Sequence, residues 1–198
     1  MLLLRSDEDL VQAFQAGETA AFDALVIRWD RKIQGVVFRV VGADEDARDV
    51  CQEVFLKAYR GLPTFKKEAR FSSWLYQIAL NACRDRLRRR RGRVHVSLED
   101  VEQSADGPLG ARGPSALDRV ASRETRERVA AAMATLSDEQ REVIVLKEYE
   151  GLTFPEIADA ISVPVSTVKT RLYRGLVQLR QRLEEQAAGK NEPVPLLP

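Results

Sequence analysis

Residues that commonly carry chemistry are scarce in this chain. Among 198 residues there are two cysteines, one histidine, two methionines and two tryptophans. Cys51 and Cys83 fall in different predicted helices and lack a metal-ligand spacing. Both read as buried, reduced thiols rather than as a zinc cluster or a disulfide scaffold. The lone His95 lies in a stretch without periodicity, and no nucleophile–base pair accompanies it. An enzyme is therefore not expected, nor a metal or cofactor site. No run approaches the roughly 18 apolar residues of a membrane span. Met1 to Leu4 is apolar but ends at Arg5, with neither an h-region nor a cleavage site. A cytoplasmic protein without membrane insertion is expected. An excess of one charge is also missing: the net charge is +1, so overall charge says little about partners.

What is present is helical periodicity, over a hydrophobic fraction of 44% that suffices for ordinary globular cores. Ser6 with Asp9 three residues on starts a short helix carrying Leu10, Val11 and Phe14, stopped by Gly17. Thr19 is the expected cap of a longer helix. Its apolar stripe is Phe22, Leu25, Trp29, Ile33, Val36 and Val40, at spacings of three or four. Asp44 is the expected cap of a third helix with Ala47, Val50, Val54, Phe55 and Ala58, ended at Gly61-Leu62-Pro63. After a loop over 64–71, a fourth helix spans about 72–91 and turns Trp74, Leu75, Ile78 and Ala82 inward. These four helices predict one compact all-α domain.

The pattern breaks at Gly92. Residues 92–113 contain four glycines and Pro108 without sustained periodicity, which predicts a linker. Fully extended, about twenty residues span roughly 70 Å. From Val94 to Asp118 there are five acids against one arginine, a net of −4, with basic residues on either side. Helical signals resume at Ser115, with a stripe of Leu117, Val120, Val129, Met133 and Leu136. Ser137 with Gln140 forms a capping box for a helix burying Val143, Ile144 and Leu146, ended by Gly151. Thr153 with Glu156 forms another, and Pro155 falls in that first turn, where its missing N–H costs little. Ile157, Ala158 and Ile161 face inward. A tight turn at Ser162-Val163-Pro164 leads to a last helix with Val168, Leu172, Leu176, Leu179 and Leu183.

Two segments point to function. In 71–93 an aromatic-rich stretch runs into seven arginines, and a basic helix fronted by aromatics suits unstacked or single-stranded bases. In 150–183 two helices and their turn read as a helix-turn-helix, which suits the major groove of duplex DNA. Val168 locks the second helix into the core. Ser166, Thr167, Lys169, Thr170, Arg171, Tyr173 and Arg174 are left for the outer face, where base edges and phosphates require hydroxyls and cations. Phe65 has no helical stripe to join and is the better candidate for touching a base; Trp74 is more readily a core residue. On the third helix Asp49, Gln52 and Glu53 cluster on one side with Phe55 nearby, a patch that suits a basic helix of a partner. A chain that holds duplex at one point and opened strand at another suits transcription initiation. A stand-alone helix-turn-helix regulator and an RNA-binding protein remain as alternatives.

Three motifs in order carry a family resemblance. DARDVCQEVFLKAY (46–59), FSSWLYQIALNACRDRLRRRR (71–91) and EGLTFPEIADAISVPVSTVKTRLYRGLVQLR (150–180) resemble the core-polymerase-binding segment, the promoter-melting and −10-reading helix, and the −35-reading helix-turn-helix of bacterial extracytoplasmic-function sigma factors, of the sigma-70 family. The resemblance implies sigma domain 2 over 1–91, a flexible acidic linker over 92–114 and sigma domain 4 over 115–186, with no intervening domain 3; residues 187–198, with Pro193, Pro195 and Pro198, read as a disordered tail. It places binding of core RNA polymerase, through its β′ and β subunits, on Asp49, Gln52, Glu53 and Phe55. It places −10 DNA on Phe65, Lys66, Lys67, Arg70, Trp74, Asn81, Arg84 and Arg88, and −35 DNA on 166–174 as named above. It also implies an anti-sigma partner. Where relatives often have glycine in the turn, this chain has Ser162, which implies a strained or adjusted turn.

Overall fold

The structure is a computed structural model, describing residues 2–42, 45–66, 70–94 and 116–188. The described residues form eight α-helices: α1 Asp7–Gln15, α2 Ala20–Val41, α3 Glu45–Gly61, α4 Phe71–Val94, α5 Ala116–Ala134, α6 Asp138–Ile144, α7 Phe154–Ile161 and α8 Val165–Ala188. There is no strand among them. Asp44, Lys67, most of the predicted linker and the end of the tail lie outside the described residues.

Helices α1 to α4 form a bundle around a core of aliphatic side chains. Trp29 anchors one end of it. Its ring meets Phe71 at 6.0 Å and Tyr76 at 5.5 Å, both edge-on. Its indole N–H donates to Asp7 Oδ2 at 3.1 Å, so the one polar atom of a buried ring is satisfied. The predicted capping box at Ser6 and Asp9 is present. Thr19, by contrast, makes no side-chain cap; its backbone is already helical, at φ −60° and ψ −32°. The chain enters α2 through a tight turn, with Ala21 N–H donating to Glu18 O at 3.0 Å. That turn removes the extended geometry a capping hydroxyl needs.

Helices α5 to α8 form the second unit. Capping boxes at Ser137/Gln140 and Thr153/Glu156 start α6 and α7 as the sequence predicts. Ser162 ends α7 in the left-handed region, at φ 56° and ψ 47°, where a serine is uncommon. The resemblance's implication of an adjusted turn is met in this way. Gly175 lets α8 lie close on α6: a Cβ there would sit 2.9 Å from Ile144 Cδ1 and 3.2 Å from Gln140 Cβ.

The two units pack on each other chiefly through α4 on α7, with α2 against the π turn that follows α6 and against α6 itself. The sequence expects this helix to bury Val143, Ile144 and Leu146; Glu142 and Val145 are buried as well, so five consecutive residues are covered. A helix covered on every side is a central one. Here α8 of its own unit packs against it, with α2 of the first unit also in contact. Beyond Ile144 the helix widens into a π turn over Val145–Tyr149.

Candidate nucleic-acid interface

The helix-turn-helix consists of α7, the Ser162 turn and α8. Ile157, Ala158 and Ile161 of α7, with Val168 and Leu172 of α8, are buried. That burial fixes which face of α8 is left outward. Ser166, Lys169, Thr170, Tyr173 and Arg174 are exposed, while Thr167 and Arg171 are half-buried. Tyr173 is 60% exposed, an aromatic with no packing role. Thr170 donates its hydroxyl to Ser166 O at 2.9 Å. Lys169 Nζ lies 5.5 Å from the Phe154 ring centroid. The result is a cationic, hydroxyl-bearing ridge on the second helix of the motif, a surface of the kind that suits a major groove.

Helix α4 supplies a second basic surface. Asn81 and Arg88 are exposed and Trp74 is half-buried. Phe65, which had no helical stripe to join, is half-buried in an aromatic cluster, 4.9 Å from Trp74 and 6.3 Å from Phe71. Its carbonyl accepts from Gln15 Nε2 at 2.9 Å, which ties the loop to α1. Lys66 and Arg70 are exposed beside it. Trp74 and Arg70 line an open cleft of about 790 Å³ between the two units, with Gln77 on one wall and Glu156 and Asp159 on the other.

Four arginines of α4 and Arg70 just before it are paired with carboxylates. Arg84 donates from Nε to Glu142 Oε1 at 2.7 Å and from Nη2 to Oε2 at 2.5 Å, and from Nη1 to Asn81 Oδ1 at 3.1 Å. Glu142 is wholly buried. Burial pushes its carboxyl up from the ordinary value, and the two bonds from Arg84 oppose that rise. Arg91 Nη2 bonds both oxygens of Asp138 at 2.9 Å. Arg86 pairs with Asp46 of α3, and Arg70 with Glu156 of α7. Arg88 pairs with Asp85 on its own helix at 2.8 Å. Sequence reasoning singled out these arginines but not their acidic partners across the chain. Asp138 and Glu142 look like first-turn and mid-helix acids of α6, and no local pattern marks them as facing α4.

On α3, Asp49 and Gln52 are exposed, while Glu53 and Phe55 are half-buried. Glu53 pairs with Lys57 one turn on, at 2.7 Å. Leu56 extends the patch and is 57% exposed. The sequence could have marked it, since it falls outside the stripe of Ala47, Val50, Val54 and Ala58. Cys51 and Cys83 are both buried free thiols, as expected. Burial, then the charge of Asp30, pushes the Cys51 thiol up to about 11. Burial also raises Cys83, with Glu142 next in effect. Among the described residues no group of side chains could hold a metal ion, and no helix is long and apolar enough to cross a membrane.

Known proteins match this arrangement in both units. Sigma-70 region 2 matches residues 25–93 and Sigma-70 region 4 matches residues 126–179. The RNA polymerase sigma-H factor of Pseudomonas aeruginosa is 34% identical over 188 residues, covering 93% of this chain and 97% of that protein. The ECF RNA polymerase sigma-E factor of Escherichia coli K12 is 34% identical over 172 residues, covering 85% and 90%. Among solved structures, CnrH in complex with the cytosolic domain of CnrY superposes with a TM-score of 0.69 at 26% identity, covering 91% of this chain and 99% of that one. A stand-alone helix-turn-helix regulator leaves the region 2 match unexplained, and an RNA-binding protein leaves region 4 unexplained. The chain belongs to the extracytoplasmic-function group of the sigma-70 family: it is an alternative sigma factor, which binds core RNA polymerase and directs promoter-specific initiation of transcription.

Proposed function

We propose that three surfaces divide the work of initiation. Asp49, Gln52, Glu53 and Phe55 of α3 dock on core polymerase. Phe65, Lys66, Lys67, Arg70, Trp74, Asn81, Arg84 and Arg88 meet the −10 region. Ser166, Thr167, Lys169, Thr170, Arg171, Tyr173 and Arg174 meet the −35 region. Domain 2 over 1–91 and domain 4 over 115–186 carry these surfaces, with 92–114 as tether and 187–198 as tail. Domain 4 holds duplex upstream while domain 2 captures an unstacked base, which favours the open strand once polymerase adds its contacts. The protein acts by binding alone, in the cytoplasm, and is no enzyme. An anti-sigma protein holds it before use; CnrH, of similar fold, is solved with the cytosolic domain of a second protein, CnrY.

The observation that carries this reading is the outward patch of Asp49, Gln52 and Leu56 on α3. Neither DNA-reading surface has a use for an acidic and apolar patch, but a basic partner helix does. Capture of purified core polymerase by the tagged chain tests it. Asp49→Lys and Glu53→Lys set like charges against that partner, at a cost of several kcal/mol. Capture should be lost while the thermal unfolding transition is retained. Undiminished capture by both variants refutes the assignment.

A further inference from the structure

The chain leaves α3 through a single 3₁₀ turn, Leu62–Thr64, and Phe65 follows it. Leu62 is buried and fixes one end of this turn. Little within the turn fixes the other. Pro63 has no N–H to give. The Thr64 hydroxyl donates back to Gly61 O at 3.1 Å, and the Phe65 N–H donates to Leu62 O at 3.2 Å. Gln15 of α1 supplies the missing tie. Its Nε2 donates to Leu62 O and to Phe65 O, both at 2.9 Å, so one amide bridges the two ends of the turn.

That amide stands on a fixed base. The start of α1 is held where Asp7 accepts from Arg28 Nη1 at 2.5 Å and from Trp29 Nε1 at 3.1 Å. Phe14, the residue before Gln15, meets Phe22 of α2 at 5.7 Å and Tyr59 of α3 at 5.4 Å. On the other side of the turn, Phe65 leans on Trp74 with ring centroids 4.9 Å apart. Trp74 in turn lies against the end of α3: a Cβ at Gly61 would sit 2.9 Å from its Cζ2. Phe65 and Trp74 therefore share one aromatic surface, and the half of it carried by the loop is held from α1.

We propose that Gln15 is a positioning residue for capture of the −10 strand: it holds Phe65 against Trp74, so that an unstacked base meets a preformed aromatic face. Stacking on such a face is favourable only to the extent that the face need not be ordered at the moment of binding. This rests on the reading of Phe65 and Trp74 as −10 residues. Gln15 is itself exposed and makes no part of the core, so its exchange leaves the bundle folded. Because Leu62 stays anchored by its own burial, the bond that matters is the one to Phe65.

The test uses holoenzyme assembled from core polymerase and the full chain, with core polymerase alone as background. Anisotropy of fluorescein-labelled single-stranded decamers of adenine, of cytosine and of thymine gives the ratio of best to worst affinity. Gln15→Met keeps the length of the side chain and removes its donor. The ratio should fall by about threefold to tenfold, the range spanned by one such hydrogen bond. Gln15→Lys restores a donor and should recover most of the ratio, whatever its charge adds to all three affinities alike. In a Phe65→Ala background Gln15→Met should cost nothing more, since the glutamine acts through Phe65. The thermal unfolding transition should not move; if it does for methionine, Gln15→Glu, of the same shape and without a donor, is measured in its place. An unchanged ratio overturns the proposal. So does equal weakening of all three decamers, which marks a phosphate contact, and so does a full additional loss in the Phe65→Ala background, which marks a direct base contact by Gln15. If the parent shows no preference among the decamers, or Phe65→Ala leaves its preference intact, the reading of Phe65 as a −10 residue falls and the proposal with it; a preference lost in Phe65→Ala but kept in Gln15→Met refutes the positioning role alone.

Discussion

Replacing Arg141 by methionine should destabilise the chain more than any surface substitution in the DNA-reading faces. Its guanidinium donates to four carbonyls: Nε to Met133 O at 3.0 Å, Nη2 to Ala134 O at 3.1 Å and to Leu136 O at 3.2 Å, and Nη1 to Val40 O at 2.8 Å. Met133 and Ala134 close α5, where the last carbonyls lack helical partners. Val40 lies in the last turn of α2 in the other unit, so one side chain caps a helix of each. Met133, Leu136 and Val40 are buried residues, and water replaces those bonds poorly. A hydrogen bond from a charged donor contributes about 1.5–3 kcal/mol, and four from one group are not additive. Against them stands the desolvation of Arg141, which pushes its proton affinity down. Removing that charge returns part of the loss. The expected net loss for Arg141→Met is about 2–4 kcal/mol, with the stem packing kept by methionine. Arg141→Lys should recover less than half, because an ammonium cannot fan donors across four carbonyls in one plane. Urea unfolding followed by far-ultraviolet circular dichroism measures both, with an unchanged slope required for the comparison. A loss under about 1 kcal/mol for methionine would refute the argument that buried carbonyls depend on this residue.

Two further outcomes are expected. Arg174→Ala and Lys169→Ala should each weaken promoter binding by the reconstituted holoenzyme, by about 1–3 kcal/mol where the contact is to a base edge, and should then relax preference at one position; equal loss on every sequence would mark a phosphate contact instead. Cys51 and Cys83 should resist a disulfide reagent at mildly alkaline pH. With Cys51 raised by burial to about 11 its thiolate is scarcer by about a hundredfold, so rapid reaction before denaturant is added would contradict the packing of α3 on α4.

Much of this molecule is local, and local features were legible in the sequence. Each capping box at Ser6, Ser137 and Thr153 needs only two residues three apart, and all of them formed. The outward ridge of α8 follows once Val168 and Leu172 are placed inside, because the helical period then fixes the rest. Thr19 is the local signal that failed, since the turn from Glu18 consumed the geometry it needed. Long-range partners left no such trace. Glu142 sits among apolar neighbours on α6, and its partner Arg84 is 58 residues away. Tyr76 finds Glu150 across 74 residues. A periodic pattern tells which residues one helix can bury against its own domain, but not which polar positions a second domain will cover. That choice belongs to tertiary packing, because a carboxylate and a guanidinium recognise each other by distance in space and carry no register along the chain.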